Sequence, residues 1–213
     1  MPFSIEAISE CSLSVSCADT DQAQHIADTL RRQAVWRDVV AGIDSVAVLY
    51  DPMTITSSEA ESMLRLCFDE NPHSGLVGNG DEIVLRAHFG GQHGPDLEGV
   101  SRTLGIDPDT VVRCFLESSY KVAMIGFMPG FAYLSGLDER LRFDRKASPR
   151  LRVEPGSIGI SGSFAGIYPL SSPGGWNLIG RVDHRSLVDW STPQPFRLHP
   201  GCRVRFVDDG LTD

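Results

Sequence analysis

Apolar positions in the first part of the chain follow two periods in turn. Residues 3–8 and 11–17 are short stretches rich in β-branched and apolar residues, and they read as strands. Ala23, Ile26, Ala27, Leu30 and Ala34 then recur at spacings of three and four, which puts them on one face of a helix. Arg31, Arg32 and Gln33 fall mostly on the other face, and Asp19, Thr20 and Asp21 offer cap residues at its start. IDSVAVLY at 43–50 reads as a buried strand that Asp51-Pro52 ends. A second helix, capped by Ser57 and Ser58, carries Ala60, Met63, Leu64, Cys67 and Phe68 on its inner face and stops at Asn71-Pro72. EIVLRAH at 82–88 is a further strand. The order strand, helix, strand, helix, strand suits a small α+β sandwich of ferredoxin-like type.

The polar, glycine-rich segment 74–81 (SGLVGNGD) marks a domain boundary, and we divide the chain into residues 1–82 and 83–213. Two short helices are expected at 95–104 and 108–116, each with Pro near its start. Residues 126–181 then hold 10 of the 21 glycines and 5 of the 13 prolines. That density means many tight turns between short strands, so the second domain reads as an all-β barrel or sandwich. CRVRFV at 202–207, launched by the Pro200-Gly201 turn, is its last strand.

Charge narrows the range of partners. The net charge of −9 repels phosphate backbones and argues against nucleic acid. The five cysteines, at 11, 17, 67, 114 and 202, contain no C-x-x-C pair, which argues against zinc ligation and a disulfide framework. Reduced thiols in a cytoplasmic protein are the expectation. Glu6 and Glu10 stand where a signal peptide carries its basic residues, and no apolar run approaches the ~18 residues of a membrane span.

Familiar catalytic signatures are absent. The chain has no P-loop, no G-x-G-x-x-G between strand and helix, no H-E-x-x-H and no G-x-S-x-G, and its six histidines are scattered singly. Arg140, Arg142, Arg145, Lys146, Arg150 and Arg152 crowd one short stretch against a single acid, Asp144. Such a run is either a recess for a carboxylate or phosphate, where Arg offers a two-pronged donor, or a solvated basic loop. Gly126-Phe127-Met128-Pro129-Gly130-Phe131 is either a ligand- or partner-facing loop or a hairpin packed on the core. Ser172-Pro173-Gly174-Gly175-Trp176 carries the same two readings, its Trp walling a pocket or filling a barrel end.

These stretches also carry a resemblance. GFMPGFAYLSGL at 126–137, RKASPR at 145–150, PGSIGISG at 155–162, GIYPL at 166–170 and SPGGWNLIGR at 172–181 resemble the signature blocks of the B subunit of 5-oxoprolinase, a family also called allophanate hydrolase subunit 1 or Kip-inhibitor-like. FGGQHGPDL at 89–97 is similar to that family's YGGEFGPDL. The order and spacing match over roughly residues 83–207. The resemblance implies a ferredoxin-like domain followed by a cyclophilin-like β-barrel, and a homologous C subunit and a third 5-oxoprolinase subunit as partners. It further implies ATP-dependent opening of 5-oxoproline to glutamate, with ATP bound with or by the partners.

On that reading Arg145, Lys146 and Arg150 hold the anionic groups of a small acidic substrate, with Arg181 joining them. Tyr168 and Trp176 form walls. Gly126, Phe127, Pro129, Gly130 and Phe131 supply backbone donors or a partner contact. No residue stands out as a general base, and no metal is implied. Three positions depart from the family pattern: Gln92 replaces a Glu, Phe115 replaces a His, and Gly162-Ser163-Phe164-Ala165-Gly166 replaces G-x-Q-T-G. Each change removes a polar or ionisable group, and with it any proton transfer that group performed. The departures leave two alternatives open, a regulator that binds a histidine kinase or a divergent urea carboxylase-like subunit. Prolyl isomerase activity would rest on the barrel fold alone.

Overall fold

The computed structural model describes residues 3–70 and 81–210. The chain divides into two compact units, Met1–Gly78 and Asn79–Asp213. The first contains β1 (Ile5–Ser9), β2 (Ser12–Ser16), α1 (Thr20–Arg31), β3 (Trp36–Ala41), β4 (Ser45–Tyr50) and α2 (Ser57–Glu70). Its strands form one antiparallel sheet in the order β1-β2-β4-β3. Alternate strand residues, among them Leu13, Val15, Val46, Val48 and Tyr50, meet Ile26 and Leu30 of α1 and Leu64 and Phe68 of α2 in a single core. The arrangement is ferredoxin-like with one permutation: β1, drawn from the start of the unit, fills the edge that a strand after α2 would otherwise fill.

Several local expectations change. β3 escapes the sequence pattern because Arg37 and Asp38 interrupt its alternation and a bulge shifts its register between Trp36 and Asp38. Helix α1 ends at Arg31, and Ala34 lies beyond it, exposed. Thr56, not Ser57 or Ser58, caps α2: its hydroxyl accepts from the Glu59 N–H at 3.3 Å while the Glu59 carboxylate accepts from the Thr56 N–H at 2.7 Å, a reciprocal capping box. The strand at 82–88 belongs to the second unit and not to the sandwich. Asn71-Pro72 and residues 74–80 of the glycine-rich segment lie outside the described residues.

The second unit is a closed barrel flanked by two helices. Its elements are β5 (Glu82–Phe89), α3 (Leu97–Leu104), α4 (Pro108–Glu117), β6 (Tyr120–Ile125), β7 (Ala132–Ser135), β8 (Arg150–Val153), β9 (Ser157–Ser161), β10 (Phe164–Ile167), β11 (Ser172–Gly174), β12 (Asn177–Val182) and β13 (Arg203–Asp208). The barrel runs β10-β7-β6-β13-β5-β12-β9 and closes back on β10, while β8 and β11 form a separate ribbon. β5 and β13, its first and last strands, pair in parallel; the remaining neighbours are antiparallel. The main core joins Leu85, Val122, Leu134, Ile158, Ile160 and Phe206 of the strands to Val100, Val111 and Phe115 of the helices. A second, smaller core gathers Phe131, Val153, Tyr168, Trp176 and Leu178. No helix among the described residues is long and apolar enough to cross a membrane.

The turn from β5 into α3 lies flat on β12. The Gly90 N–H donates to the Ile179 carbonyl at 3.1 Å, and the Asp96 N–H donates to the Leu178 carbonyl at 2.9 Å. A Cβ on Gly94 would collide with the Ile179 carbonyl oxygen, whereas one on Gly99 would meet nothing within 4 Å. Gly94→Ala is therefore expected to destabilise the protein by about 1–3 kcal/mol, as overpacking does. Gly99→Ala, inside α3, is expected to be neutral or stabilising by up to ~1 kcal/mol. Urea unfolding of the two variants measures the contrast.

Candidate functional site

Asp96 stands at the N-terminus of α3, yet its side chain makes no cap hydrogen bond there. It turns toward the barrel instead. Its Oδ1 accepts from Lys146 Nζ at 2.8 Å and from Arg150 Nη2 at 2.7 Å, and its Oδ2 accepts from the Leu178 N–H at 2.7 Å. The side chain is 10% exposed. Burial alone would raise its pKa, but the hydrogen bonds from Arg150, Lys146 and Leu178 outweigh that and hold the carboxyl below the usual range. Further bonds fix the basic loop on either side. The Lys146 N–H donates to the Gly175 carbonyl at 2.8 Å, and Asn177 Nδ2 donates to the Asp144 carbonyl at 2.7 Å.

The basic run is thus largely self-neutralised. Arg140 pairs with Asp138 at 2.6 Å, Arg142 with Glu139 at 3.0 Å, and Arg152 with Glu154 at 2.8 Å. Lys146 and Arg150, expected to hold a substrate anion, share Asp96. Arg145 is left: among the described residues no carboxylate pairs with it. It is exposed, and it lines a cleft of about 60 Å³ with Phe127, Phe131, Tyr133, Tyr168, Trp176 and the Gly174-Gly175 backbone.

Edge-to-face rings build the walls of this cleft. Phe131 lies 4.9 Å from Tyr168 and 5.5 Å from Trp176, centroid to centroid, at interplanar angles of 78° and 86°. Gly166 makes room for them, since a Cβ there would stand 2.7 Å from both the Phe131 and the Trp176 ring. Burial raises the Tyr168 pKa; a backbone hydrogen bond at Trp176 and the charges of Arg145 and Arg150 oppose the shift without cancelling it. The hydroxyl therefore stays protonated at neutral pH.

Phe127 forms the lip. Its φ is 68°, the one positive value at a non-glycine residue among the described residues. The Met128 N–H donates to the Gly126 carbonyl at 2.7 Å, which closes a γ-turn around Phe127. A bulky residue in that conformation stores strain on the order of 1–3 kcal/mol. Phe127 is nevertheless 61% exposed, its ring centroid 5.4 Å from that of Phe131 and 6.3 Å from that of Tyr168.

The remaining candidates separate. The N–H groups of Gly126, Met128 and Phe131 are all used inside the hairpin, which removes them as backbone donors to a ligand. Gly130 is buried against the Phe196 ring, so within this hairpin only Phe127 and Pro129 face outward. Arg181 does not join Arg145; it lines a different hollow with His88 and His93. Of the departures, Phe115 is fully buried among the rings of Phe89, Tyr120 and Phe206. Gln92 is exposed beside His93, and Phe164 packs partly buried near Tyr133. None of the three lines the Arg145 cleft.

Residues 3–198 match the family described as the carboxyltransferase domain, subdomain C and D. The chain belongs to this family. Among curated relatives, the 5-oxoprolinase B subunit of Escherichia coli O157:H7 is 36% identical over 80% of this chain and 77% of its own length. The protein of the same name from Haemophilus influenzae is 42% identical over 62% of each chain. The match thus spans less than two thirds of that relative. The crystal structure of TTHA0988 superposes with a TM-score of 0.77 at 28% identity, covering 92% of this chain and 39% of that one.

Sequence reasoning missed Asp96, which falls within the helix expected at 95–104 and gives no local sign of partners 50 and 54 residues away. Its signal lay in the excess of cations downstream, which needed a buried counter-charge. Asp96→Asn is expected to cost about 3–5 kcal/mol at neutral pH, since it leaves Lys146 and Arg150 without their carboxylate. The wild-type advantage is full above the unfolded carboxyl pKa near 3.9 and vanishes as pH falls through the lower folded value. Urea unfolding of both proteins across that range measures the gap closing. Phe127→Gly relieves the γ-turn and is expected to hold or raise the melting temperature while exposing the cleft to solvent.

Proposed function

We propose that this chain is a subunit of a 5-oxoprolinase and that the Arg145 cleft holds the carboxylate end of 5-oxoproline. The observation that carries this reading is the contrast within the basic run. Five of its six cations are ion-paired, and the remaining one, Arg145, stands on a cleft walled by Phe131, Tyr168 and Trp176. A guanidinium takes a carboxylate through two parallel hydrogen bonds, and aromatic faces suit the apolar edge of a small ring. The names of the curated relatives support the same assignment.

The chemistry divides between subunits in this proposal. A lactam resists water because nitrogen donates into its carbonyl. Transfer of the terminal phosphoryl group of ATP to the lactam oxygen releases ADP and activates the ring carbon; water adds there, the C–N bond breaks with the nitrogen taking a proton to give γ-glutamyl phosphate, and a second water releases inorganic phosphate and glutamate. The cleft offers positioning, a fixed positive charge and a protonated Tyr168 hydroxyl as donor. It contains no carboxylate or imidazole to act as base. Its volume of about 60 Å³ is also far below the ~300–1,000 Å³ typical of small-molecule pockets. We therefore assign the base and the ATP site to a homologous C subunit and a third subunit, with the complex working in the cytoplasm.

The test is reconstitution of the chain with both partners, following glutamate release and 5-oxoproline-dependent ATP hydrolysis. Arg145→Met is expected to raise KM for 5-oxoproline by about 10- to 100-fold, the worth of a charged hydrogen bond. Its melting temperature should not change, because the side chain is exposed and unpaired. A complex without turnover, or one indifferent to the Arg145 substitution, overturns the proposal.

A further inference from the structure

A second hollow, of about 500 Å³, lies on the outer face of β5 and β12 and shares no lining residue with the Arg145 cleft. β5 presents Val84, Arg86 and His88 outward. β12 places Arg181 directly opposite His88 in the antiparallel register. The turn after β5 then folds His93 back over both. That path needs Gly90 and Gly91, whose φ values of 67° and 51° lie in the left-handed region. The His88 and His93 rings end 5.1 Å apart.

This concentration of donors is under-satisfied. Among the described residues, the buried side-chain nitrogens with no hydrogen-bond partner are His93 Nδ1, Arg181 Nε and Arg150 Nη1. Two of the three belong to side chains that line this hollow. Buried polar atoms are nearly always paired, so each orphan asks for an explanation. Protein acids do not supply one. Two carboxylates line the hollow and neither pairs with Arg181 among the described residues: Asp209 is engaged by Arg86 at 3.2 Å and stands 3.6 Å from His88, and Asp183 accepts from the Arg185 N–H at 3.0 Å. A metal ion does not fit, because no group of three or more potential ligands converges among the described residues. A neighbouring hollow of about 800 Å³ shares His88 and His93 with it, and its wall includes Phe89, Leu97, Val112 and Leu116 together with Asp109, Glu117 and Asp208.

We propose that Arg181, His88 and His93 form a binding site for the oxyanion of a small organic acid, a carboxylate or a phosphate monoester. The apolar body of that ligand lies along Phe89, Leu97, Val112 and Leu116. Arg181 supplies the fixed charge and a forked donor. Burial, with His88 and Arg181 nearby, lowers the His93 pKa, so the free imidazole is neutral and can donate from one ring nitrogen. The apolar wall selects an acid with a hydrocarbon part over a bare inorganic ion.

Calorimetric titration of the full chain with phenyl phosphate, benzoate and inorganic phosphate tests the site, and the first two probes distinguish phosphate from carboxylate as the preferred head group. Phenyl phosphate or benzoate should bind saturably and more tightly than inorganic phosphate. Arg181→Gln should weaken that binding about tenfold or more. His93→Gln, on an external turn, should weaken it without changing the melting temperature, and it serves where Arg181→Gln fails to fold. Absence of saturable binding by every probe overturns the proposal. So does binding that survives both substitutions, or that Arg145→Met abolishes instead. Equal affinity for phenyl phosphate and inorganic phosphate removes the apolar wall from the site.

Discussion

The buried carboxylate of Asp96 is the constraint on which the ordering of the second unit turns. One side chain joins the start of α3, the backbone of β12, a cation of the loop between β7 and β8 and the cation that begins β8. No other described residue ties these parts together through a single group. A buried charge is tolerable only when its partners are close and well aimed, and here three donors meet two oxygens. Because Lys146 and Arg150 are fixed in this way, the residue between Asp144 and Lys146 has little freedom in where it emerges. Arg145 comes out at the mouth of the aromatic cleft for that reason.

Much of the fold was legible in the sequence, for identifiable reasons. The helix at 20–31 announces itself by the spacing of Ala23, Ile26, Ala27 and Leu30, all of which are buried. Helices α3 and α4 begin within two residues of Pro95 and Pro108 as the proline rule suggests. The turn-rich stretch 126–181 does fold into short barrel strands. What stayed hidden depends on partners distant in sequence. β3 carries two charges that break its alternation, and the strand at 82–89 gives no local sign of which sheet will receive it.

The site was legible in the same partial way. Arg145, Trp176, Phe127 and Phe131 were singled out by residue type and Tyr168 through the resemblance, and the fold brings them to one cleft. Arg181 was grouped with them because it closes the SPGGWNLIGR block. Strand β12 carries it away from Trp176 and sets it opposite His88. Counting charges also overstated the basic run, because local acids such as Asp138, Glu139 and Glu154 fall just before or after their partners. Phe115 is a different case. A position that the family pattern marks as ionisable is here the centre of a four-ring cluster with no exposure.

The parallel pairing of β5 with β13 carries a consequence for how the chain acquires its shape during synthesis. Every ladder of the first unit joins strands that lie between Ile5 and Tyr50, so that sheet can assemble soon after its residues leave the ribosome. The barrel has no such early route. β5 waits with one edge open until residues 203–208 emerge, because only they complete the ring. An unpaired strand edge invites association with other nascent chains. For this molecule the interval between translating β5 and translating β13 is the window in which a chaperone has work to do.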